Sequence, residues 1–207
     1  MPNNGETMKL YFTPHTCSLA CHIALTESGV KFDQDMVNLA TKKTASGADF
    51  RALNPKGSVP ALEVSPGQVL TEGVAIMQYV ADSVGGAGVV PANGTFARAR
   101  MQEAMNFISG ELHKTGYGPL FRPGITDAEK QAQFAVIDGK LAWVEDRLGK
   151  SAYMAGDTFS LADSYLWVIT GWSAFMGHDL GKFPKLMALR ALVGARPAVQ
   201  AAVALEA

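Results

Sequence analysis

The sequence predicts two successive architectures, an α/β segment in the first half of the chain and an all-helical segment in the second. Before residue 86, short strand-like segments alternate with helix-like ones, whereas from Thr95 onward apolar residues recur only at helical spacing. A glycine-rich stretch over 85–94 separates the two patterns. We therefore expect one domain over 8–86, a linker over 87–94 and a helical domain over 95–207, preceded by a disordered polar leader over 1–7.

The predicted elements of the first half follow the order βαβ and then ββα. Strands are predicted over 9–13, 30–39, 60–64 and 69–70, and helices over 18–28, 47–53 and 72–84. This order requires a mixed sheet with helices packed against it. The predicted fold class is therefore α/β plus all-α, with an N-terminal thioredoxin-like domain followed by an all-helical C-terminal domain.

The second half shows apolar stripes at helical spacing, which predict buried helix faces. They comprise Met101, Met105, Ile108 and Leu112; Phe134, Ile137, Leu141, Val144 and Leu148; and Leu161, Tyr165, Val168 and Ile169. Ser160 followed by Asp163 is a variant of the capping box and predicts the start of a buried helix.

Composition excludes several classes of function. The chain has 207 residues, of which 48% are hydrophobic and 18% charged, and its formal charge is −1, so it offers no basic field for nucleic acid or an anionic membrane. Two cysteines are too few for a secreted disulfide framework. The N-terminus carries no apolar signal core, and no apolar run is long enough to span a bilayer. We expect a cytoplasmic protein.

Cys17 is the first candidate for chemistry. It stands between a predicted strand and a predicted helix, where the helix N–H groups and the positive end of the dipole favour a thiolate. Ser18 follows it directly in the sequence. The alternative for Cys17 itself is a small apolar residue with no chemical role.

Two later motifs point to the binding of an extended, charged ligand. The proline at the start of a predicted strand suggests a cis Val59–Pro60 bond, which would turn the Val59 backbone outward to pair with a peptide. Glu72 and Gly73 stand at a predicted helix start, where free N–H groups form an anion site and glycine permits close approach. The alternatives are an edge-strand proline and a simple capping turn.

In this order, these motifs resemble the cytosolic glutathione transferases over nearly the whole chain from Met8, and the bacterial beta class most of all. The segments that carry the resemblance are Pro14-His15-Thr16-Cys17-Ser18-Leu19, Leu39-Ala40-Thr41-Lys42-Lys43-Thr44, Asn54-Pro55-Lys56-Gly57-Ser58-Val59-Pro60-Ala61-Leu62, Leu70-Thr71-Glu72-Gly73, Asn106-Phe107-Ile108-Ser109-Gly110-Glu111-Leu112-His113-Lys114 and Gly171-Trp172-Ser173-Ala174.

The resemblance implies a glutathione site and a set of ligand residues. Cys17 would lie beside the glutathione sulfur, Val59 would pair with the cysteinyl backbone, and Lys42 would meet the glycyl carboxylate. The γ-glutamyl end would bind Glu72 and Gly73. The helical domain would contribute Asn106, Gly110, Glu111, Leu112 and His113, partly across a homodimer interface, with Cys17, Ser18 and His113 as the catalytic residues.

The function implied by this resemblance is conjugation of glutathione, as co-substrate, to small electrophilic and largely apolar substrates, a detoxification chemistry. Tyr117, Phe121, Trp172 and Phe175 are candidates for an apolar pocket, although aromatic residues in a helical domain more often form the core. Two alternatives keep the same fold: a glutaredoxin-like thiol-disulfide oxidoreductase that uses Cys17 as its nucleophile, and a binding protein without turnover.

The histidines do not indicate a metal. His15, His22, His113 and His178 lack ligand spacing, and the two cysteines do not complete a zinc set. We therefore expect no metal cofactor, no nucleic-acid partner and no membrane partner.

Overall fold

The structure is a computed structural model that describes residues 7–206. The predicted disordered leader therefore lies outside the described residues except for Thr7. Contacts divide the described chain into two compact units. One contains the residues up to Val90 together with those from Pro197 onward, and the other contains Pro91–Arg196.

A mixed five-stranded sheet forms the centre of the first unit. Its strands are β1 (Met8–Phe12), β2 (Phe32–Asn38), β3 (Lys43–Thr44), β4 (Ala61–Ser65) and β5 (Gln68–Thr71). Their order is β3-β2-β1-β4-β5, with β1 and β2 parallel and the other pairs antiparallel. Leu10 of β1 is in register with Leu62 of β4, and both side chains are fully buried. The predicted mixed sheet is confirmed, and the short strand β3 is an addition.

The helices of the first unit are α1 (Leu19–Glu27), α2 (Phe50–Leu53), α3 (Gly73–Ser83) and α8 (Pro197–Ala204). Helix α1 packs against α3 and α8. Phe50 of α2 joins Tyr11, Val37 and Ala61 in a separate core cluster. The βαβ-ββα order is therefore confirmed, with shifts of one to three residues at the element ends.

Helix α8 belongs to the first unit, whereas the sequence pattern assigned residues 197–207 to the helical domain. Val199 and Ala202 are buried in the first unit, where α8 packs against α1. Helical periodicity identifies a face that must be covered, but it does not identify the element that covers it. The division by contacts does not test where a domain begins and ends, so the predicted domain bounds, 8–86 and 95–207, stay a prediction.

The second unit is built from helices. These are α4 (Phe96–Phe107), a π-helix (Ile108–Tyr117), a short 3₁₀-helix (Gly118–Phe121), α5 (Asp127–Leu148), α6 (Leu161–Met176) and α7 (Pro184–Gly194). No single helix within residues 7–206 is both long and apolar enough to cross a membrane; only the bent pair α7 and α8, counted together, meets these criteria.

The π-helix was not predicted. The apolar spacing of Met101, Met105, Ile108 and Leu112 suits an α-helix, and all four side chains are fully buried. After Phe107, however, the hydrogen bonding loosens to the i to i+5 pattern, and the Thr115 hydroxyl donates to the carbonyl of Gly110 at 2.7 Å. A π-helix of ten residues is unusual, and such segments often occur at functional sites.

The start of α6 is organised by one buried carboxylate. Asp163 is fully buried; its Oδ1 accepts from Met154 N at 2.8 Å, and its Oδ2 accepts from Ser160 N at 2.8 Å and Ser160 Oγ at 3.0 Å. This confirms the predicted capping box. Burial raises the pKa of Asp163 to about 6, but three donors aimed at one carboxylate keep it an acceptor at neutral pH.

We predict that Asp163→Ala lowers the free energy of unfolding by about 3 kcal/mol, because three buried donors lose their acceptor. Chemical denaturation measures this loss. Ser160→Ala, which removes one hydroxyl from the same capping box, should cost about 1 kcal/mol. The exposed Asp157→Ala is the matched control and should change little. Equal losses in the Asp163 and Asp157 variants would contradict the assigned role.

Candidate functional site

Cys17 lies in the turn between β1 and α1, directly before Ser18, the N-cap residue of α1. Ser18 closes this turn: its hydroxyl accepts from Thr13 N at 3.2 Å and donates to Thr13 O at 3.0 Å. The Cys17 side chain is half-buried, and its Sγ donates to the carbonyl of Val59 at 3.7 Å. The thiol therefore stands at the strand-to-helix junction where the sequence predicted it, beside the backbone of Val59.

Ser18 is placed differently from its predicted catalytic role. Its side chain is fully buried, and its hydroxyl bonds within the turn to Thr13 and, at 2.8 Å, to Thr16 Oγ1. A hydroxyl held in this way orders the backbone that carries Cys17 and is not presented to a ligand. The geometry thus supports a structural role for Ser18, and its predicted part in catalysis stays a prediction.

Cys21, one helical turn later, has a different environment. It is fully buried, and its Sγ donates to the carbonyl of Gly73 at 3.8 Å. Burial raises the pKa of the Cys21 thiol well above its ordinary value, and the nearby Cys17 and Glu206 raise it further. Neither cysteine is in a disulfide. Only Cys17 has the exposure that a reactive thiol requires.

The segment Asn54–Pro60, here called the site loop, is folded by one buried side chain. Asn54 is 2% exposed, its Nδ2 donates to Ser58 O at 2.8 Å, and its Oδ1 accepts from Lys56 N at 3.2 Å. Gly57 N donates to the Asn54 carbonyl at 2.8 Å, with Gly57 at a φ of 62°, in the left-handed region that favours glycine. These bonds hold the backbone of the site loop in a compact turn.

Lys42 and Val59, both predicted ligand residues, meet at the site loop. Lys42 Nζ donates to the carbonyl of Gly57 at 2.8 Å. The Val59–Pro60 peptide is cis, as the sequence predicted. Within residues 7–206, Val59 N–H donates to no other residue, so it is available to the backbone of a bound peptide.

A second cation packs beside Lys42. A Cβ built on Gly57 would lie 3.5 Å from Arg51 Nε and 3.6 Å from Lys42 Cδ, so both side chains pack against the same glycine. Sequence reasoning singled out Lys42 but not Arg51. The pair makes this end of the site loop locally positive, which suits a carboxylate.

Glu72 and Gly73, the predicted site for an amino-acid end, stand at the start of α3. Glu72 has a φ of 70° and is the N-cap residue; its Oε1 lies 2.5 Å from Nζ of Lys56, which also donates to Thr71 Oγ1 at 2.7 Å. A Cβ on Gly73 would meet Pro60 Cγ at 3.6 Å, an ordinary contact. The protein's own packing therefore does not require glycine at 73.

Glu206, which sequence reasoning missed, supports the turn that holds Cys17. Its Oε2 accepts from His15 N at 3.1 Å, and its Oε1 lies 2.6 Å from His22 Nδ1. The other nitrogen of His22 lies 3.0 Å from Gln34 Oε1. Both His22 and Glu206 are buried. No pattern in the sequence could reveal this contact, because 184 residues separate the two side chains.

The remaining predicted ligand residues lie in the second unit. Asn106 lies in the last turn of α4 with an exposed side chain, and Gly110 and Glu111 are exposed on the π-helix. Glu111 pairs with Lys140 of α5. The Leu112 side chain is fully buried among the core residues, so its predicted contact with a ligand finds no support from the side chain and stays a prediction.

His113 lies on the π-helix against Tyr165 and Trp172. Its Nδ1 shares a hydrogen bond of 2.9 Å with the Tyr165 hydroxyl, and its ring stands edge-on to Trp172 at 5.1 Å between centroids. Burial, followed by the charge of Lys114, lowers the pKa of His113 to about 4. His113 is therefore a neutral imidazole at pH 7, able to form hydrogen bonds but not to supply a positive charge.

The predicted apolar pocket is only partly supported. Tyr117 is fully buried and shares a hydrogen bond of 2.5 Å with Ser173 Oγ, which makes it a core residue. Phe121 is half-exposed and stands edge-on to Trp172 at 5.1 Å, whereas Phe175 is 81% exposed. Phe121 and Trp172 therefore form one aromatic surface of this unit, with His113 packed against Trp172.

The described residues contain no arrangement suited to a metal ion: no group of three or more His, Cys, Asp or Glu side chains within 7–206 could hold one. His178, for example, is a buried histidine whose nitrogens lie 3.2 Å from Ser173 Oγ and 2.9 Å from Asp138 Oδ1.

Comparison with known proteins finds one family in both halves of the chain. The family model for the glutathione S-transferase N-terminal domain matches residues 6–82, and that for the C-terminal domain matches residues 127–203. Glutathione S-transferase GstA of Escherichia coli O157:H7 is 40% identical over 96% of this chain and 98% of its own length.

Two solved structures extend the similarity. A sphingomonad glutathione S-transferase complexed with glutathione is 41% identical, with a TM-score of 0.91 over 96% of this chain and 98% of its own. The bacterial beta-class glutathione S-transferase of Sphingomonas chungbukensis is 41% identical, with a TM-score of 0.90 over the same shares. Together with the Cys17 turn and the site loop, these matches show that the chain belongs to the glutathione S-transferase family.

Proposed function

We propose that the protein transfers glutathione to small electrophilic, largely apolar substrates. One observation carries the proposal: the site loop brings together Cys17, Lys42 and Glu72, each through its own contact with Val59, Gly57 or Lys56. These groups suit an extended peptide with charged ends and a central thiol. A relative of similar sequence has been solved with glutathione bound.

Each part of glutathione has a chemically matched group in the first unit. Lys42, with Arg51 beside it, suits the glycyl carboxylate, and the free N–H of Val59 suits the cysteinyl backbone. Glu72 suits the ammonium of the γ-glutamyl end. The contacts implied for Asn106, Gly110, Glu111 and His113 stay predictions.

The proposed reaction uses the bound glutathione thiolate as nucleophile. Its sulfur forms a bond to the electrophilic carbon, and the leaving group, for example a halide, departs with the bonding electron pair. The contacts of Phe121 and Trp172 with an apolar second substrate stay predictions. A neutral His113 can donate a hydrogen bond without adding charge.

A second reaction at the same site would use the Cys17 thiol as the nucleophile. A Cys17 thiolate that attacks glutathione disulfide forms a mixed disulfide and releases one glutathione thiolate. The half-exposed thiol beside Val59 favours this alternative over a binding protein without turnover.

We predict that Lys42→Ala and Glu72→Ala each weaken glutathione binding by about 1–3 kcal/mol, the range for charge-assisted hydrogen bonds. Titration calorimetry with reduced glutathione measures both variants, and rates with a dinitrophenyl chloride test the transfer reaction. Asp157→Ala, on an exposed loop of the other unit, is the control. If both site variants bound glutathione with wild-type affinity, the proposed site would be wrong.

Cys17 should react with iodoacetamide at about pH 8 much faster than Cys21, because the Cys21 thiol is buried and its raised pKa leaves little thiolate. After treatment with glutathione disulfide, peptide mass spectrometry should find one glutathione on Cys17 and none on Cys21. Cys17→Ala should abolish disulfide reduction but spare conjugation to the aryl chloride, where glutathione supplies the sulfur. Disulfide reduction that survives in this variant would show that another group is the nucleophile.

We also infer that the protein forms a homodimer, as the family resemblance implies. Light scattering at micromolar concentration should return twice the mass of the chain. A particle with the mass of a single chain would reject the dimer without affecting the glutathione site of the first unit.

A further inference from the structure

We propose that Lys56 is a specificity-determining residue, which binds the α-carboxylate at the γ-glutamyl end of glutathione while Glu72 binds the ammonium group on the same carbon. The inference rests on the proposed function and extends it to a residue that no motif singled out.

The geometry around Lys56 leaves one donor for a ligand. The side-chain ammonium carries three N–H groups. One donates to Glu72 Oε1 at 2.5 Å and one to Thr71 Oγ1 at 2.7 Å. The third has no partner within residues 7–206. Lys56 can therefore donate to a ligand carboxylate without giving up either existing bond.

The pair of side chains matches the charges of the γ-glutamyl end. That end carries an ammonium and a carboxylate on one carbon, so two opposite charges must be bound side by side. Glu72 alone can recognise only the ammonium. Lys56 and Glu72, an ammonium and a carboxylate in direct contact, present both complementary charges side by side.

The same pair contributes little to the fold. The side chains of Lys56 and Glu72 are 50% and 70% exposed, and ion pairs this open to water stabilise proteins only slightly. Substitution of Lys56 should therefore leave the structure intact. The position of the ammonium comes from the site loop, where Asn54 accepts from the Lys56 backbone N–H.

The experiment uses titration calorimetry to measure the affinity of three ligands for the wild type and for Lys56→Met, Lys56→Arg and Glu72→Gln. The ligands are glutathione, an analogue with γ-aminobutyryl in place of γ-glutamyl, which lacks the α-carboxylate, and an analogue with glutaryl, which lacks the ammonium. Lys31→Met, at an exposed lysine before β2, is the control for the loss of one positive charge.

Lys56→Met should weaken glutathione and the glutaryl analogue about tenfold and leave the γ-aminobutyryl analogue within about twofold. Lys56→Arg should keep most of the affinity. Glu72→Gln should show the reverse preference and weaken the γ-aminobutyryl analogue more than the glutaryl one. Thermal unfolding should be the same in the wild type and in Lys56→Met.

Three results would overturn the proposal. Wild-type affinity for glutathione in Lys56→Met would remove Lys56 from the site while leaving the proposed function intact. Equal weakening of glutathione and the γ-aminobutyryl analogue would show that Lys56 only orders Glu72. A wild type that binds no glutathione would reject the proposed function itself, and this inference with it.

Discussion

The candidate site depends on the hydrogen bonds of one buried amide. The Asn54 side chain bonds to Ser58 O and Lys56 N and so holds the whole site loop in one conformation. From this loop, Gly57 meets Lys42, and Val59 meets Cys17. Because a buried amide with unmet hydrogen bonds is costly, the loop has little freedom to rearrange. A peptide ligand would therefore meet groups already in position, without paying to order them.

The electrostatics of the molecule act locally. A formal charge of −1 provides no long-range field, yet the first unit concentrates cations at two places along the site loop. At the first place, Lys42 and Arg51 pack against Gly57. At the second place, Lys56 pairs with Glu72. Glu206, in buried contact with His22, also accepts a hydrogen bond from the backbone of His15 in the Cys17 turn. The turn that carries the thiol is thus held both by local bonds and by the C-terminus.

Much of this arrangement could be predicted from the sequence, and the reasons lie in particular residues. The capping box at Ser160 and Asp163, the strand-to-helix turn at Cys17 and the cis peptide before Pro60 are local features written in adjacent residues. The fold order followed from periodicity alone. Burial could not be predicted in this way: Leu112 and Ser18 stand inside motifs that looked functional, yet both side chains are fully buried. A motif identifies a segment, whereas packing decides which of its side chains face the ligand.

Local signals in the sequence were enough to predict the α/β-then-helical order, the turn that presents Cys17 and the candidate sites at Val59 and Glu72, because propensity, periodicity and turn chemistry act over a few residues. Lys42 became a candidate only through the family resemblance. The folded structure was needed to show that α8 packs against α1, that Glu206 supports the Cys17 turn, and that Lys56 pairs with Glu72. Only it showed the change from α-helix to π-helix after Phe107. These features depend on which surfaces meet when the chain packs, and the order of residues along the chain does not reveal those contacts.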